Sequence, residues 1–142
     1  MDSGRKRILI VEDDLTQREM LREYLELEDF EVREARDGLQ ALTELRSFDP
    51  HVIITDYRMP HMNGQDLIRE IRNEPRWAAV PVVFFSALDE EKISVDGRRG
   101  GHRSDLDFYI QKPFGTRLID LVNGLCDSGA TGHRGIAGGE GD

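Results

Sequence analysis

Acidic residues directly follow two short apolar runs of the sequence. Glu12-Asp13-Asp14 comes after the run 8–11, and Asp56 comes after the run 52–55. An ionised carboxylate beside an apolar strand costs free energy unless a partner neutralises it. If the two runs are neighbouring parallel strands, their carboxylates converge at one edge of a sheet and repel one another. Such a cluster favours a hard divalent cation with oxygen ligands, Mg²⁺ or Mn²⁺.

A hydroxyl and an ammonium group follow two later apolar runs. Ser86 ends the run that starts at Val82, and Lys112 ends the run that starts at Phe108. Acidic metal ligands, a hydroxyl donor and a lysine each have a use in phosphoryl transfer, which depends on positioning and charge neutralisation. In this chemistry Asp56 is the nucleophile that forms an acyl phosphate. Lys112 and Ser86 would then contact two phosphoryl oxygens.

Apolar runs alternate with helical patterns along the chain, which is typical of a parallel sheet with crossover helices. We expect strands at Arg7–Val11, Glu31–Ala35, 51–55, 82–85 and 108–111. Right-handed crossovers allow the strand order 2-1-3-4-5, which reverses between the first and third strands, where open α/β sheets bind ligands. The predicted fold is therefore a doubly wound, five-stranded parallel α/β sheet of the flavodoxin-like type. Glycines at 97, 100 and 101 predict an irregular or shortened fourth helix, because glycine disfavours helix.

Composition and charge limit the class of protein. The 142 residues carry a net charge of −9, which argues against direct nucleic-acid binding, and no apolar stretch reaches the roughly 18 residues of a membrane span. The only cysteine is Cys126, so a disulfide framework is excluded and a reducing, cytoplasmic setting fits. We predict a flexible N-terminus at 1–5, one folded domain at 6–126 and a Gly-rich flexible tail at 127–142.

The motifs together resemble the response-regulator receiver domain of two-component signalling. The matching pieces are Glu12-Asp13-Asp14, Asp37-Gly38, Ile54-Thr55-Asp56 with Met59-Pro60 and Asn63-Gly64, Ser86-Ala87 and Lys112-Pro113-Phe114. Each piece alone is weak, since paired acids and Lys-Pro are common in sequences. Their order, with each at the end of a successive predicted strand, makes a chance agreement improbable.

The resemblance implies a phosphoacceptor and a metal site. Asp56 would receive the phosphoryl group from a histidine kinase or a phosphotransfer protein. Asp13 or Asp14 would bind Mg²⁺ together with Asp56 and the backbone carbonyl of Arg58, and Glu12 or Asp14 would act through water. We favour Asp13 as the direct ligand.

The resemblance also implies a switch and an output. Ser86 would move toward the phosphoryl group, and Tyr109, at the position of the family's switch aromatic, would turn into the space it leaves. Because no DNA-binding or catalytic segment follows Cys126 in this sequence, we interpret it as a stand-alone receiver that switches a protein–protein contact or passes phosphate on in a relay. A phosphorylation-dependent dimer is compatible with this interpretation, and the kinase and the downstream protein target are not specified by the sequence.

Arg58 and Leu88 depart from the pattern expected beside the phosphorylation site. These positions lie two residues after the phosphoacceptor and two after the hydroxyl, and they flank the route of the hydrolytic water. Leu88 has no polar group to orient water, and Arg58 has guanidinium donors for the phosphoryl group. We therefore predict slow self-dephosphorylation.

Three alternatives remain open at this point. A degenerate receiver would keep the fold as a phosphorylation-independent interaction module. A small Mg²⁺-dependent phosphatase with an aspartyl-phosphate intermediate is disfavoured, because such enzymes place an acid two residues after the nucleophile and Arg58 stands there. A nucleotide- or flavin-binding domain is disfavoured because the segment after the first strand is acidic rather than glycine-rich. The leading reading is a binding module rather than an enzyme with an external product.

Overall fold

A computed structural model describes residues 4–56, 64–86, 107–111 and 116–127. The predicted helix between the fourth and fifth strands lies outside these residues, as do most of the predicted tail and the first three residues. None of the helices in the described ranges is long and apolar enough to cross a membrane.

A parallel sheet forms the centre of the molecule. Its five strands run in the order β2-β1-β3-β4-β5, and every neighbouring pair is parallel. The predicted parallel α/β architecture is therefore confirmed. The strands are β1 (Arg7–Val11), β2 (Glu31–Ala35), β3 (Val52–Thr55), β4 (Val82–Ser86) and β5 (Asp107–Gln111). The register places Ile10 of β1 beside Ile54 of β3, so both strands end at the same edge.

Four helices are described. They are α1 (Leu15–Leu27), α2 (Gly38–Leu45), α3 (Gly64–Asn73) and α4 (Thr116–Asp127). Helix α1 ends where Asp29 adopts a left-handed backbone with φ of 71°, and the amide of Phe30 donates to the carbonyl of Leu25 over 3.2 Å. This is the Schellman arrangement that stops a helix, and it turns the chain directly into β2.

The core lies on both faces of the sheet. On one face Leu9, Ile53 and Phe84 pack with residues of α2 and α3. On the other face Ile8, Ile54 and Val83 pack with α1 and α4. Because successive side chains of a strand point to opposite faces, a strand covered on both sides needs apolar residues at every position. The apolar runs 8–11 of β1, 52–54 of β3 and 82–85 of β4 follow from this packing, and polar residues lie only at the ends of these strands.

Candidate functional site: an acidic cluster at the carboxyl edge of the sheet

The strand hydrogen bonds extend to the first acidic residues after β1 and β3. The backbone N–H of Glu12 donates to the carbonyl of Ala35 over 3.0 Å, and that of Asp56 donates to the carbonyl of Val11 over 2.9 Å. The backbone at both acidic positions is therefore held by the neighbouring strand. The same ladder that builds the sheet thus brings these two backbone positions to its carboxyl edge.

Glu12, Asp13 and Asp56 form one cluster of carboxylates. One oxygen from each lies within 4.8 Å of the others. Glu12 is buried with only 4% of its surface exposed, Asp56 is partly buried and Asp13 is exposed. Three like charges at this spacing repel one another, and the repulsion is strongest where burial lowers the dielectric constant. All three side chains offer carboxylate oxygens as metal ligands, and oxygen is the ligand atom that Mg²⁺ binds in proteins.

Asp14 serves as the N-cap of α1. Its Oδ1 accepts a hydrogen bond from the backbone N–H of Gln17 over 2.9 Å, which satisfies one of the free amides of the first turn. The carboxylate cluster forms from Glu12, Asp13 and Asp56 without it. Of the two residues that the sequence analysis considered for the water-mediated role, Glu12 lies in this cluster and Asp14 caps the helix, and the role itself stays a prediction. The spacing Asp14-x-x-Gln17 is a capping-box pattern and was readable in the sequence.

The side chain of Glu12 is oriented by the start of the same helix. Its Oε2 accepts a hydrogen bond from the backbone N–H of Asp14 over 3.2 Å. Asp14 therefore makes two contacts in this segment: its side chain caps α1, and its backbone N–H donates to the buried Glu12. The Asp14 carboxylate is thus engaged by the helix amide of Gln17, and the Glu12 carboxylate by the amide of Asp14.

Arg18 is a residue of the site that the sequence analysis did not single out. One of its terminal nitrogens donates to the backbone carbonyl of Glu12 over 2.9 Å, and its Nε donates to Glu34 of β2 over 2.9 Å. Glu34 also pairs with Arg22, which in turn pairs with Glu26 over 3.1 Å. Hydrogen bonds to Glu26 and Glu34 raise the pKa of Arg22 above its ordinary value.

Ser86 and Tyr109 lie on the neighbouring strands of the same sheet. Ser86 is the last residue of β4, where it is registered with Gln111, the last residue of β5. Tyr109 is registered with Phe84. The backbone of Ser86 therefore ends its strand at the carboxyl edge, as β1 and β3 do. The predicted side-chain roles of Ser86 and Tyr109, and all predictions for Arg58 and Lys112, lie outside the described part of the chain and stay predictions.

The family follows from a comparison with known proteins. Residues 8–123 match the response regulator receiver domain. The chain belongs to the response-regulator receiver family. Receivers are the phosphoacceptor modules of two-component signal transduction, and they bind Mg²⁺ in an acidic pocket. The resemblance inferred from the motifs is confirmed.

Individual relatives agree with the receiver assignment. The DNA-binding response regulator MtrA of Mycobacterium bovis is 39% identical over 114 residues, which are 80% of this chain and 47% of MtrA. The chain thus spans about half the length of the curated relatives it matches. The crystal structure of a response regulator receiver protein from Pseudomonas putida is 31% identical with a TM-score of 0.73, and the match covers 87% of this chain and 99% of that one.

A third similar protein was solved with a bound metal ion. The response regulator TrrA of Thermotoga maritima, in complex with Mg²⁺ and BeF, is 29% identical with a TM-score of 0.72. The match covers 84% of this receiver and 98% of TrrA. The acidic cluster of Glu12, Asp13 and Asp56 lies in a receiver fold, and its oxygen donors are those that Mg²⁺ takes.

Proposed function

We propose that the chain is a phosphoacceptor that receives a phosphoryl group on Asp56, with Mg²⁺ bound beside it, and thereby switches a contact with another protein. The observation that carries the proposal is the convergence of Glu12, Asp13 and Asp56 within 4.8 Å at the carboxyl edge of the sheet. The amide of Asp56 is bonded to β1, so the backbone that carries its carboxylate is held at the edge of the sheet. The family assignment supports the same chemistry.

The donor set fits a hexacoordinate Mg²⁺ ion. Oxygens bound to one Mg²⁺ at about 2.1 Å lie roughly 3–4 Å from one another. The upper limit of 4.8 Å in the cluster is slightly wider, which suits two direct carboxylate ligands and a third that acts through water. We assign Asp13 and Asp56 as the direct ligands and Glu12 as the residue that acts through water. The backbone carbonyl of Arg58 would complete the protein ligands.

Phosphoryl transfer to Asp56 is a substitution at phosphorus. A carboxylate oxygen of Asp56 attacks the phosphorus of a phosphohistidine, the P–N bond breaks, and the imidazole leaves with the electron pair and takes up a proton. When Mg²⁺ is bound, it neutralises charge on the transferred phosphoryl group. Lys112 would pair with Asp56 before the transfer and with a phosphoryl oxygen after it, and Ser86 would donate to a second oxygen.

The output of the switch is a change in protein contacts. A phosphoryl group that recruits the Ser86 hydroxyl would free the space into which the Tyr109 ring turns, and the populations of two surface states would shift. The donor would be a histidine kinase or a phosphotransfer protein, and the target is a protein. In this role the chain acts as a phosphoacceptor and not as an enzyme with an external product.

Intact mass measures the proposed reaction directly. The full chain would be incubated with Mg²⁺ and acetyl phosphate, as wild type, as Asp56→Asn and as Asp120→Asn. Asp120 is an exposed aspartate of α4 and serves as the matched control. We expect one phosphoryl adduct on wild type and on Asp120→Asn, and none on Asp56→Asn.

Two other results would contradict the proposal. An adduct on Asp56→Asn of the same amount as on wild type would place the phosphate on another residue. Bound Mg²⁺ without any adduct, with acetyl phosphate and with a phosphohistidine donor, would instead support the phosphorylation-independent interaction module.

A further inference from the structure

We propose that Arg18 is a positioning residue for the metal site, in that it fixes the backbone of Glu12 and so the spacing of the carboxylates that bind the cation. The inference rests on the proposed function, since it concerns the same cluster. The guanidinium of Arg18 touches none of the three cluster carboxylates in a described hydrogen bond. It acts through the carbonyl of Glu12, to which it donates over 2.9 Å.

The carbonyl of Glu12 lies just beyond the last described hydrogen bond between β1 and β2. The amide of Glu12 still donates to Ala35, but Ala35 is the last residue of β2, and the chain then turns into α2. The side chain of Arg18 reaches this place from the first turns of α1 and donates to the carbonyl. The backbone of Glu12 is therefore held on the amide side by β2 and on the carbonyl side by Arg18.

Arg18 is itself held in one orientation. Its Nε donates to Glu34 of the edge strand over 2.9 Å, and only 16% of its side-chain surface is exposed. A planar guanidinium with donors in a fixed fork binds two acceptors at once, which an ammonium group does less well. Arg18 thus links the edge strand β2 to the acidic segment that follows β1.

Charge and position predict opposite effects of removing Arg18. The network contains two arginines and two glutamates, Arg18, Arg22, Glu26 and Glu34, so its formal charge is balanced. The loss of Arg18 would leave a net negative charge near the cluster, and Coulomb attraction alone would tighten Mg²⁺ binding. A positioning role predicts weaker binding, because residues that orient metal ligands from outside typically contribute about 10–100-fold to metal affinity.

Arg22 provides the matched control. It lies on the same helix and pairs with the same Glu34, and its described contacts are to Glu26 and Glu34. Arg22→Ala therefore removes an arginine and its two ion pairs from the network while the bond from Arg18 to Glu12 stays. A merely structural role of the network predicts the same result for both variants.

The experiment is a Mg²⁺ titration of the full chain followed by amide NMR, with melting temperatures recorded in parallel. We expect Mg²⁺ affinity to fall about tenfold in Arg18→Ala, to fall less in Arg18→Lys, and to stay within about twofold of wild type in Arg22→Ala. If Arg18→Ala does not fold, Arg18→Lys carries the comparison with Arg22→Ala. Unchanged or tighter binding in the Arg18 variants, or an equal loss in Arg22→Ala, would overturn the inference. A wild type that binds no Mg²⁺ would overturn the proposed function, and the inference with it.

Discussion

Asp13 and Asp56, which follow two neighbouring strands of the sheet, bring carboxylate oxygens within 4.8 Å of each other. At the dielectric constant of water, two charges at this distance repel by about 1 kcal/mol, and partial burial of Asp56 increases the repulsion. Taken as a pair, Asp13 and Asp56 therefore disfavour the folded state, and a cation bound between them would relieve their repulsion. Ligands that bind only the folded state raise its stability, so Mg²⁺ binding and folding are linked.

Asp13→Asn should raise the melting temperature in the absence of Mg²⁺ and remove most of the Mg²⁺-dependent increase. Relief of about 1 kcal/mol corresponds to roughly 2–4 °C in a domain of this size. Thermal unfolding by circular dichroism, with and without Mg²⁺, measures both effects, and Asp120→Asn serves as the control that should change neither. An equal Mg²⁺-dependent increase in wild type and Asp13→Asn would show that the ion does not bind at this cluster.

Asp14 should contribute to stability and not to metal affinity. Asp14→Ala removes the hydrogen bond to the amide of Gln17 and should cost about 1 kcal/mol in the free energy of unfolding. Asp14→Asn keeps the cap and should unfold like wild type. Urea unfolding measures the cost, and Asp37→Ala, which removes the corresponding N-cap of α2, should cost a similar amount.

Mg²⁺ titration of Asp14→Asn separates capping from ligation. We expect its affinity to stay within about twofold of wild type, because Asp14 lies outside the carboxylate cluster and its exposed charge acts through solvent of high dielectric constant. If Asp14→Asn loses as much Mg²⁺ affinity as Asp13→Asn does, Asp14 is a metal ligand and this prediction is wrong.

The parallel core was predictable because its signal lies in consecutive residues. Strands covered on both faces need apolar side chains throughout, so the runs of β1, β3 and β4 indicate their own burial. The acidic cluster was predictable for a related reason, since parallel strands end at a common edge. The edge strand β2 was a weaker prediction because only Val32 and Ala35 of its five residues are apolar, and the consecutive polar residues Arg33 and Glu34 lie on opposite faces.

The ends of the strands alone did not predict which of the three acids after β1 lie in the cluster with Asp56 and which one caps α1. Asp14 caps α1 while Glu12 and Asp13 lie with Asp56, and in the sequence the cap pattern of Asp14 and Gln17 overlaps the acidic pattern of the same segment. Arg18 contacts the carbonyl of Glu12 while its Nε is hydrogen-bonded to Glu34 of the edge strand β2. Such a contact depends on tertiary structure and has no short sequence pattern.

Cys126 should be inert to alkylation at neutral pH in the folded chain. The pKa of its thiol is raised to about 11, mainly by burial, while the charge of Lys6 lowers it in part and that of Asp127 adds to the rise. Because the thiolate is the reactive form, iodoacetamide should modify the folded protein much more slowly than the urea-unfolded protein at the same pH. Intact mass over time measures both rates, and equal rates would contradict the burial of this thiol.

The raised pKa of Cys126 also predicts a loss of stability at alkaline pH. Above about pH 9, the ordinary value, the unfolded thiol ionises while the folded thiol keeps its proton up to about pH 11. The unfolded state then binds fewer protons, so stability falls as the pH rises through this window. Lysines and tyrosines also titrate between about pH 9 and pH 11. The measurement is therefore the difference in the free energy of urea unfolding between wild type and Cys126→Ala. That difference should shrink from pH 8 to pH 11, and a constant difference would contradict the prediction.

Leu88 should slow the loss of phosphate from Asp56. A leucine two residues after Ser86 has no group to orient the attacking water, whereas an amide there would hold water near the phosphorus. We expect Leu88→Asn to speed dephosphorylation on the order of tenfold, and Leu88→Ala, which opens the same space without a polar group, to change the rate little. The adduct formed with acetyl phosphate would be followed by intact mass after the donor is removed. Equal decay in wild type and Leu88→Asn would show that this position does not control the water, and faster decay in both variants would assign the effect to side-chain size.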